Sequence, residues 1–358
     1  MRAGLVIYGS LDTLSGGYLY DRMLVRYLQA YGGQVEIVSL PWRHYLAHLG
    51  DNFSAALYRR LRNLQVDVLL EDELNHPSLS RINRLLKGVA NYPIISIVHH
   101  LRCSEARPAW LNRLYASVER RYLTSVDAFI FNSQTTRKSV LELAGESKPA
   151  VVAYPAGDRL CPVLSDEEII ARALEPGPLR IFFLGNLIPR KGLHILLQAL
   201  ALLPSETWRL AVAGSLEMDQ AYTAAILRQV RFADLDHQIQ FLGPLREADL
   251  VNQFVLSQVM ALPSSYEGFG IAYLEGMGFG LPAIASTQGA AHEIITPGEN
   301  GYLVAPHDPQ ELAACLLQLA EDRELLTRLS LNARQRFVAH PTWEQTMGRI
   351  RNFLLEIA

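Results

Sequence analysis

Leu262-Pro263-Ser264-Ser265-Tyr266-Glu267-Gly268-Phe269-Gly270-Ile271-Ala272-Tyr273-Leu274-Glu275-Gly276 decides how the rest of the chain is read. The apolar run from Gln258 to Leu262 reads as the end of a buried strand. Pro263 and the two serines break it. Gly268 and Gly270 allow a tight turn into a helix that continues through Ile271, Leu274 and Met277. A helix N-terminus offers free backbone N–H groups and the positive end of a dipole, which suits a phosphate. Glu267 precedes that helix and Glu275 lies within it, with seven residues between them. A carboxylate is a poor phosphate ligand but a good acceptor for sugar hydroxyls. Anion-binding backbone between two hydroxyl-binding carboxylates suggests a ligand in which a sugar is joined to a ribose through a pyrophosphate. A solvated turn and a surface helix would account for each glutamate separately. Glu275, however, stands almost alone as a charge between Gly268 and His292, and a charge isolated in an apolar helix usually has a partner.

Working outward, 358 residues are too many for one ordinary core, so two domains are expected. Hydrophobic residues make up 49% and charged residues 19%, as in a globular chain rather than a disordered or fibrous one. Cys103, Cys161 and Cys315 are odd in number and widely spaced. They offer neither a disulfide framework nor a CxxC metal motif, which points to a reducing cytoplasm. Residues 1–10 read as a short strand and a turn, neither a signal peptide nor a spanning helix. The net charge of −3 is unevenly spread. Up to Leu160 there are 19 Lys and Arg against 14 Asp and Glu, and beyond it 14 against 22. A basic first half fits an anionic partner.

The first half alternates β and α. Strands are expected at Leu5–Tyr8, Val35–Leu40, Asp67–Leu70, Ile94–Val98, Val126–Ser133 and Ala150–Tyr154. Gly16 and Gly17 follow the first strand and open an amphipathic helix, where backbone can approach a phosphate closely. Their spacing is not that of a GxGxxG fingerprint. Glu71-Asp72-Glu73 closes the third strand; without an Asp-x-Asp pattern it reads as a solvated strand end rather than a metal site. The fourth strand runs into His99-His100, at the carboxyl end of a parallel strand, where ligands collect. Trp42 to Arg62 and Arg107 to Tyr122 are basic, aromatic-rich helical stretches. They fit either an anionic membrane surface or ordinary surface helices with snorkelling arginines.

The Pro- and acid-rich stretch 166–178 reads as the connection between domains. A second set of strands follows at Leu179–Leu184, Trp208–Ala213, Ile239–Leu242, Val259–Leu262, Pro282–Ser286 and Gly301–Val304. Gly185-Asn186-Leu187-Ile188-Pro189-Arg190-Lys191-Gly192 is a strand-to-helix loop, in which a lysine is well placed for a phosphate. Gly289-Ala290-Ala291-His292-Glu293 is a further loop at a strand end. The chain ends in helices, the last from about Trp343 to Leu355.

Taken together, these motifs resemble the retaining glycosyltransferases of family GT4, which have the GT-B fold. Glu267-Gly-Phe-Gly…Glu275 resembles the family's E-x7-E signature, Pro189-Arg190-Lys191-Gly192 its basic phosphate loop, and Gly289 to Glu293 its Gly-Gly-x-x-Glu loop, with Ala290 in place of the second glycine. Asp127 to Ser133 and Gly157-Asp158 look like its first-domain markers. The resemblance implies an α/β fold of two Rossmann-like domains facing each other across a cleft. An acceptor-binding domain is expected over 1–165, a linker over 166–178, a nucleotide-sugar domain over 179–340, and a C-terminal helix, 341–358, packing back on the first domain.

The same resemblance implies roles for single residues. Lys191 would bind the donor pyrophosphate, helped by the backbone around Gly268, Phe269 and Gly270 and by Gly16 and Gly17. Glu267 would hold the donor-sugar hydroxyls, Glu275 the ribose hydroxyls, and His99 would orient the sugar. Asn186 stands where the family usually carries an arginine on the phosphate, and Arg190 is the nearby residue that could compensate. The implied reaction moves a hexose from a UDP- or GDP-linked donor to a hydroxyl acceptor, with retention and without a metal or other cofactor. The acceptor would be a glycan, glycolipid or phosphorylated molecule, with peripheral contact to the inner membrane face as one option and no nucleic acid. A nucleotide-sugar epimerase, a phosphorylase or a non-catalytic nucleotide-sugar-binding subunit are the alternative readings.

Overall fold

The computed structural model describes residues 1–145 and 148–358. The chain forms two compact units, Met1–Pro155 together with Thr342–Ala358, and Ala156–Pro341. The first unit holds strands β1 (Arg2–Tyr8), β2 (Gln34–Leu40), β3 (Val68–Asp72), β4 (Ile94–Val98), β5 (Ala128–Phe131) and β6 (Ala150–Val152). Its helices are α1 (Gly16–Ala30), α2 (Tyr45–Leu49), α3 (Ala55–Arg62), α4 (His76–Leu86), α5 (Ala109–Leu123) and α6 (Gln134–Ala144). The second unit holds β7 (Leu179–Leu184), β8 (Trp208–Ala213), β9 (Ile239–Gly243), β10 (Val259–Leu262), β11 (Ala283–Ser286) and β12 (Gly301–Val304). Its helices are α7 (Asp166–Leu174), α8 (Leu193–Leu200), α9 (Gln220–Phe232), α10 (Glu247–Leu256), α11 (Ile271–Gly278), α12 (Pro309–Glu321) and α13 (Arg323–Val338). Helix α14 (Trp343–Ile357) returns the chain to the first unit.

All strand pairings are parallel, in the orders β2-β1-β3-β4-β5-β6 and β12-β11-β10-β7-β8-β9. The central strands β3, β4, β10 and β11 are buried along their whole length, as the unbroken apolar runs of a doubly covered parallel sheet require. Each sheet reverses its strand order once, between β1 and β3 and between β7 and β10. The crevice outside the carboxyl ends of such a pair is where open α/β sheets bind ligands.

Three expectations from the sequence need correction. The stretch 166–178 is not simply a connection, because Asp166–Leu174 is helix α7, packed into the second unit through Ile169, Arg172 and Ala173. Its acids lie in the first helical turn, where they face the positive dipole end, and Ser165 with Glu168 forms a capping box. Trp42 to Arg62 is two short helices separated by a 3-10 turn over Gly50–Phe53. Glu71, Asp72 and Glu73 are buried, not solvated. They lie at the end of a central strand, where helices cover both faces. Burial pushes the Glu71 and Asp72 carboxyls up to about 7, and Glu73 well above its ordinary value.

Arg172 ties α7 to the second sheet. Its guanidinium donates to the carbonyls of Phe254 (3.2 Å), Val255 (3.4 Å), Phe279 (2.6 Å) and Gly280 (3.1 Å), placing a cation at the carboxyl ends of α10 and α11. Arg172→Ala is expected to cost about 2–4 kcal/mol, because it strands buried carbonyls. A urea titration should read that loss; one below about 1 kcal/mol would mean that water substitutes for the guanidinium.

Candidate functional site

In the second unit three loops converge at the switch point. The loop after β7 carries Asn186, Arg190 and Lys191, the loop after β10 carries Glu267 to Gly270, and the loop after β11 carries Gly289 to Glu293. They touch through backbone. Ser265 N–H donates to the Arg190 carbonyl at 2.8 Å, and Ala290 N–H to the Glu267 carbonyl at 2.9 Å. Two glycines make the approach possible. Gly192 has φ +75° and Gly289 φ +82°, and a Cβ at either would lie 2.1 Å from a carbonyl oxygen, of Pro263 and Glu267 respectively. No side chain fits there.

The convergence pairs Lys191 with Glu267, Nζ to Oε1 at 2.6 Å. Arg190 donates to the Tyr266 carbonyl at 2.8 Å and stands 3.7 Å from the same Glu267 oxygen. Burial alone would push the Glu267 carboxyl up. The two cations and the Lys191 hydrogen bond outweigh it and hold the group down at about 2. Burial lowers the Lys191 pKa, and Glu267 only partly restores it. Glu267 is therefore ionised at neutral pH. Asn186 Oδ1 accepts from Ser215 N–H at 3.0 Å. Gly270, with φ +98°, is the residue before α11, so that helix begins four residues after Glu267 in the chain. Tyr273 pins the helix by donating to the Leu262 carbonyl at 2.8 Å.

Glu275 is buried on α11, and its partner is Arg159, Nε to Oε1 at 2.5 Å. Burial raises the Glu275 pKa, and Arg159 offsets this only in part. The sequence marks the neighbouring Gly157-Asp158 but not Arg159 itself. The signal was on the other side, in the lone charge of Glu275 within an apolar helix.

In the first unit, Gly16 and Gly17 open α1 behind the Ser15 cap, and His99 follows β4. A Cβ on Gly17 would lie 3.1 Å from the His99 ring. His99 Nε2 lies 3.3 Å from Asp21 Oδ1, and its carbonyl accepts from Asn132 at 2.8 Å and Thr136 at 3.3 Å. Burial works against a charge on His99, but Asp21 and Asp72 outweigh it and raise its pKa. Reading the sequence did not find Asp21, and it found Asp72 only as a solvated residue. Among the described residues, two buried groups have potential ligand atoms within 4.8 Å of one another: Asp21 with Asp72 and His99, and Glu73 with His76 and Glu119. Protein donors already engage several of them: Arg102 and Cys103 N–H donate to Glu119, and Leu74 N–H to Asp72.

Comparison with known proteins gives the family. Residues 165–336 match the family model described as glycosyl transferases group 1, and residues 22–158 the one described as glycosyltransferase family 4. The chain belongs to the family 4 glycosyltransferases, and its fold is GT-B. Glycogen synthase of Mycobacterium tuberculosis (strain ATCC 25618 / H37Rv) is 27% identical over 281 residues, 75% of this chain and 63% of that protein. D-inositol 3-phosphate glycosyltransferase of Nocardia farcinica is 27% identical over 239 residues, 64% of this chain and 52% of that protein. The chain thus spans between about half and two-thirds of these relatives' length. Sucrose-phosphate synthase from Thermosynechococcus elongatus superposes with a TM-score of 0.84 at 21% identity, covering 100% of both chains. Anabaena HepE in complex with UDP and glucose superposes with 0.77 at 20% identity, covering 99% of both.

Proposed function

We propose that the chain is a retaining glycosyltransferase that moves a hexose from a UDP- or GDP-linked donor to a hydroxyl acceptor. The observation that carries this reading is the Lys191–Glu267 pair at the switch point of the second sheet, beside the N-terminus of α11. Lys191 and the helix N–H groups would take the donor diphosphate, and Glu267 the sugar hydroxyls. In the same proposal Glu275 meets the ribose hydroxyls, and His99 with Gly16 and Gly17 serves the transferred sugar and its phosphate. Lysine and backbone donors aimed at the leaving diphosphate stabilise the charge that grows as the glycosidic bond breaks. The donor phosphate then accepts the acceptor's proton on the same face. The proposed reaction assigns no step to a metal.

The first unit would serve the acceptor. Trp42, Leu46, Phe53, Trp110 and Leu114 are all exposed, among arginines of the same segments. This composition fits peripheral contact with an anionic membrane or a lipid-linked acceptor. Among the described residues no helix is long and apolar enough to cross a membrane.

A thermal-shift panel of UDP, GDP, ADP, UDP-glucose and GDP-mannose on wild type and Lys191→Ala tests the donor. Ligand at about 100 times Kd adds about 2.7 kcal/mol, enough to move the transition by several degrees. A shift with one nucleotide, lost in the variant, is expected. No shift with any of them would favour a family member that has lost its donor site.

A further inference from the structure

The chain enters the second unit through Ala156-Gly157-Asp158-Arg159-Leu160, and this segment lies against the backbone of α11. A Cβ on Gly157 would stand 2.9 Å from the Leu274 carbonyl and 3.0 Å from Glu275 N. This closeness brings Arg159 to Glu275. Nε donates to Glu275 Oε1 at 2.5 Å, while NH1 reaches Glu247, on the first turn of α10, at 2.9 Å. The two ends of the network differ in kind. The Glu275 side chain is 4% exposed and that of Glu247 74%. The Glu247 contact is a solvated ion pair of little energetic weight, whereas the Glu275 contact fixes a buried carboxylate. Its second oxygen, Oε2, has no hydrogen-bond partner among the described residues, and it is not among the partnerless oxygens sealed from solvent.

We propose that Arg159 is a positioning residue for ribose recognition. It anchors one oxygen of Glu275 so that the other is held, as an acceptor, for the hydroxyls of the donor's ribose. This rests on the reading of Glu275 as the ribose ligand. Two geometric facts favour an anchor over a mere staple. Arg159 bonds a single oxygen rather than gripping both in a fork, and the oxygen it leaves is the unpartnered one. A carboxylate free to rotate would have to lose that freedom when ribose binds; one already fixed does not. A hydroxyl bound to such a group discriminates strongly against an analogue that lacks it, because the acceptor is left unpaired.

The test compares ribose with deoxyribose. UDP, GDP and their 2′-deoxy forms are titrated by calorimetry into wild type, Arg159→Ala, Arg159→Lys, Glu275→Gln and Glu247→Gln. Wild type should prefer the ribonucleotide about tenfold to a hundredfold, as for a hydrogen bond to a charged group. Arg159→Ala and Glu275→Gln should bring that preference to within about threefold. Arg159→Lys should fall between, because an ammonium has no fixed fork. Glu247→Gln should leave the preference intact. If Arg159→Ala melts lower but keeps the full preference, the arginine is only a staple and the proposal fails while the transferase reading stands. If Arg159→Ala binds the ribonucleotide more tightly, the arginine occupies the ribose position and the proposal is overturned. If wild type binds both forms equally, or binds neither nucleotide, the ribose role of Glu275 fails and the proposal with it.

Discussion

Replacing Lys191 by alanine is expected to lower kcat/KM for glycosyl transfer by about a hundredfold to a thousandfold, the usual loss when one donor aimed at developing charge is removed. Its geometry makes the effect large. Lys191 is held 2.6 Å from Glu267 in a half-buried setting, where a charge acts more strongly than in water. The variant should still fold, since Glu267 keeps Arg190 at 3.7 Å. The converse change is less clean. Removing the Glu267 side chain would leave the half-buried Lys191 ammonium without an acceptor, so Glu267→Gln, which keeps one, is the better probe of that position. Initial rates with the donor found in the nucleotide panel, alongside circular dichroism, check both points. Near wild-type turnover in folded Lys191→Ala would place the reacting diphosphate elsewhere.

Deleting helix α14 is expected to unfold or severely loosen the first unit. The helix buries Trp343, Met347, Ile350 and Leu354, each worth about 1.5–3 kcal/mol relative to exposure. Their sum, about 6–12 kcal/mol, rivals the whole stability of a domain. Specific contacts add to it. Thr346 donates to the Tyr154 carbonyl at 2.8 Å, the Trp343 ring packs edge-on to Tyr20 at 5.9 Å, and Tyr31 bonds Glu344. Calorimetry of the chain ending at Thr342 should show the first unit's transition lowered by at least about ten degrees or lost. A melting curve identical to that of the full chain would show that the helix is dispensable.

The twelve strands were legible because buried parallel strands are written as short apolar runs bounded by Gly, Pro and polar residues. The loops after β7, β10 and β11 were legible as strand-end turns because Gly and Pro punctuate them. Helix α7 was misread, although Ser165-Asp166-Glu167-Glu168 carries a capping-box pattern that could have marked its start. Glu71, Asp72 and Glu73 were misread for a deeper reason. Whether a carboxyl at a strand end meets water depends on which helices cover it, and local sequence holds no record of that. Arg159 and Glu275 lie 116 residues apart. The need for a partner could be read from Glu275, but not which residue supplies it.

The carbonyl contacts at Gly192 and Gly289 carry an entropic consequence. A loop that must find its shape around a ligand loses conformational freedom when it does so, and binding is weakened by that amount. Here the loops after β7, β10 and β11 have lost that freedom during folding, because each glycine lets one backbone rest on the next. The stability of the sheet beneath has already met the ordering cost. Contacts made by an incoming ligand are therefore not further reduced by the ordering of these loops.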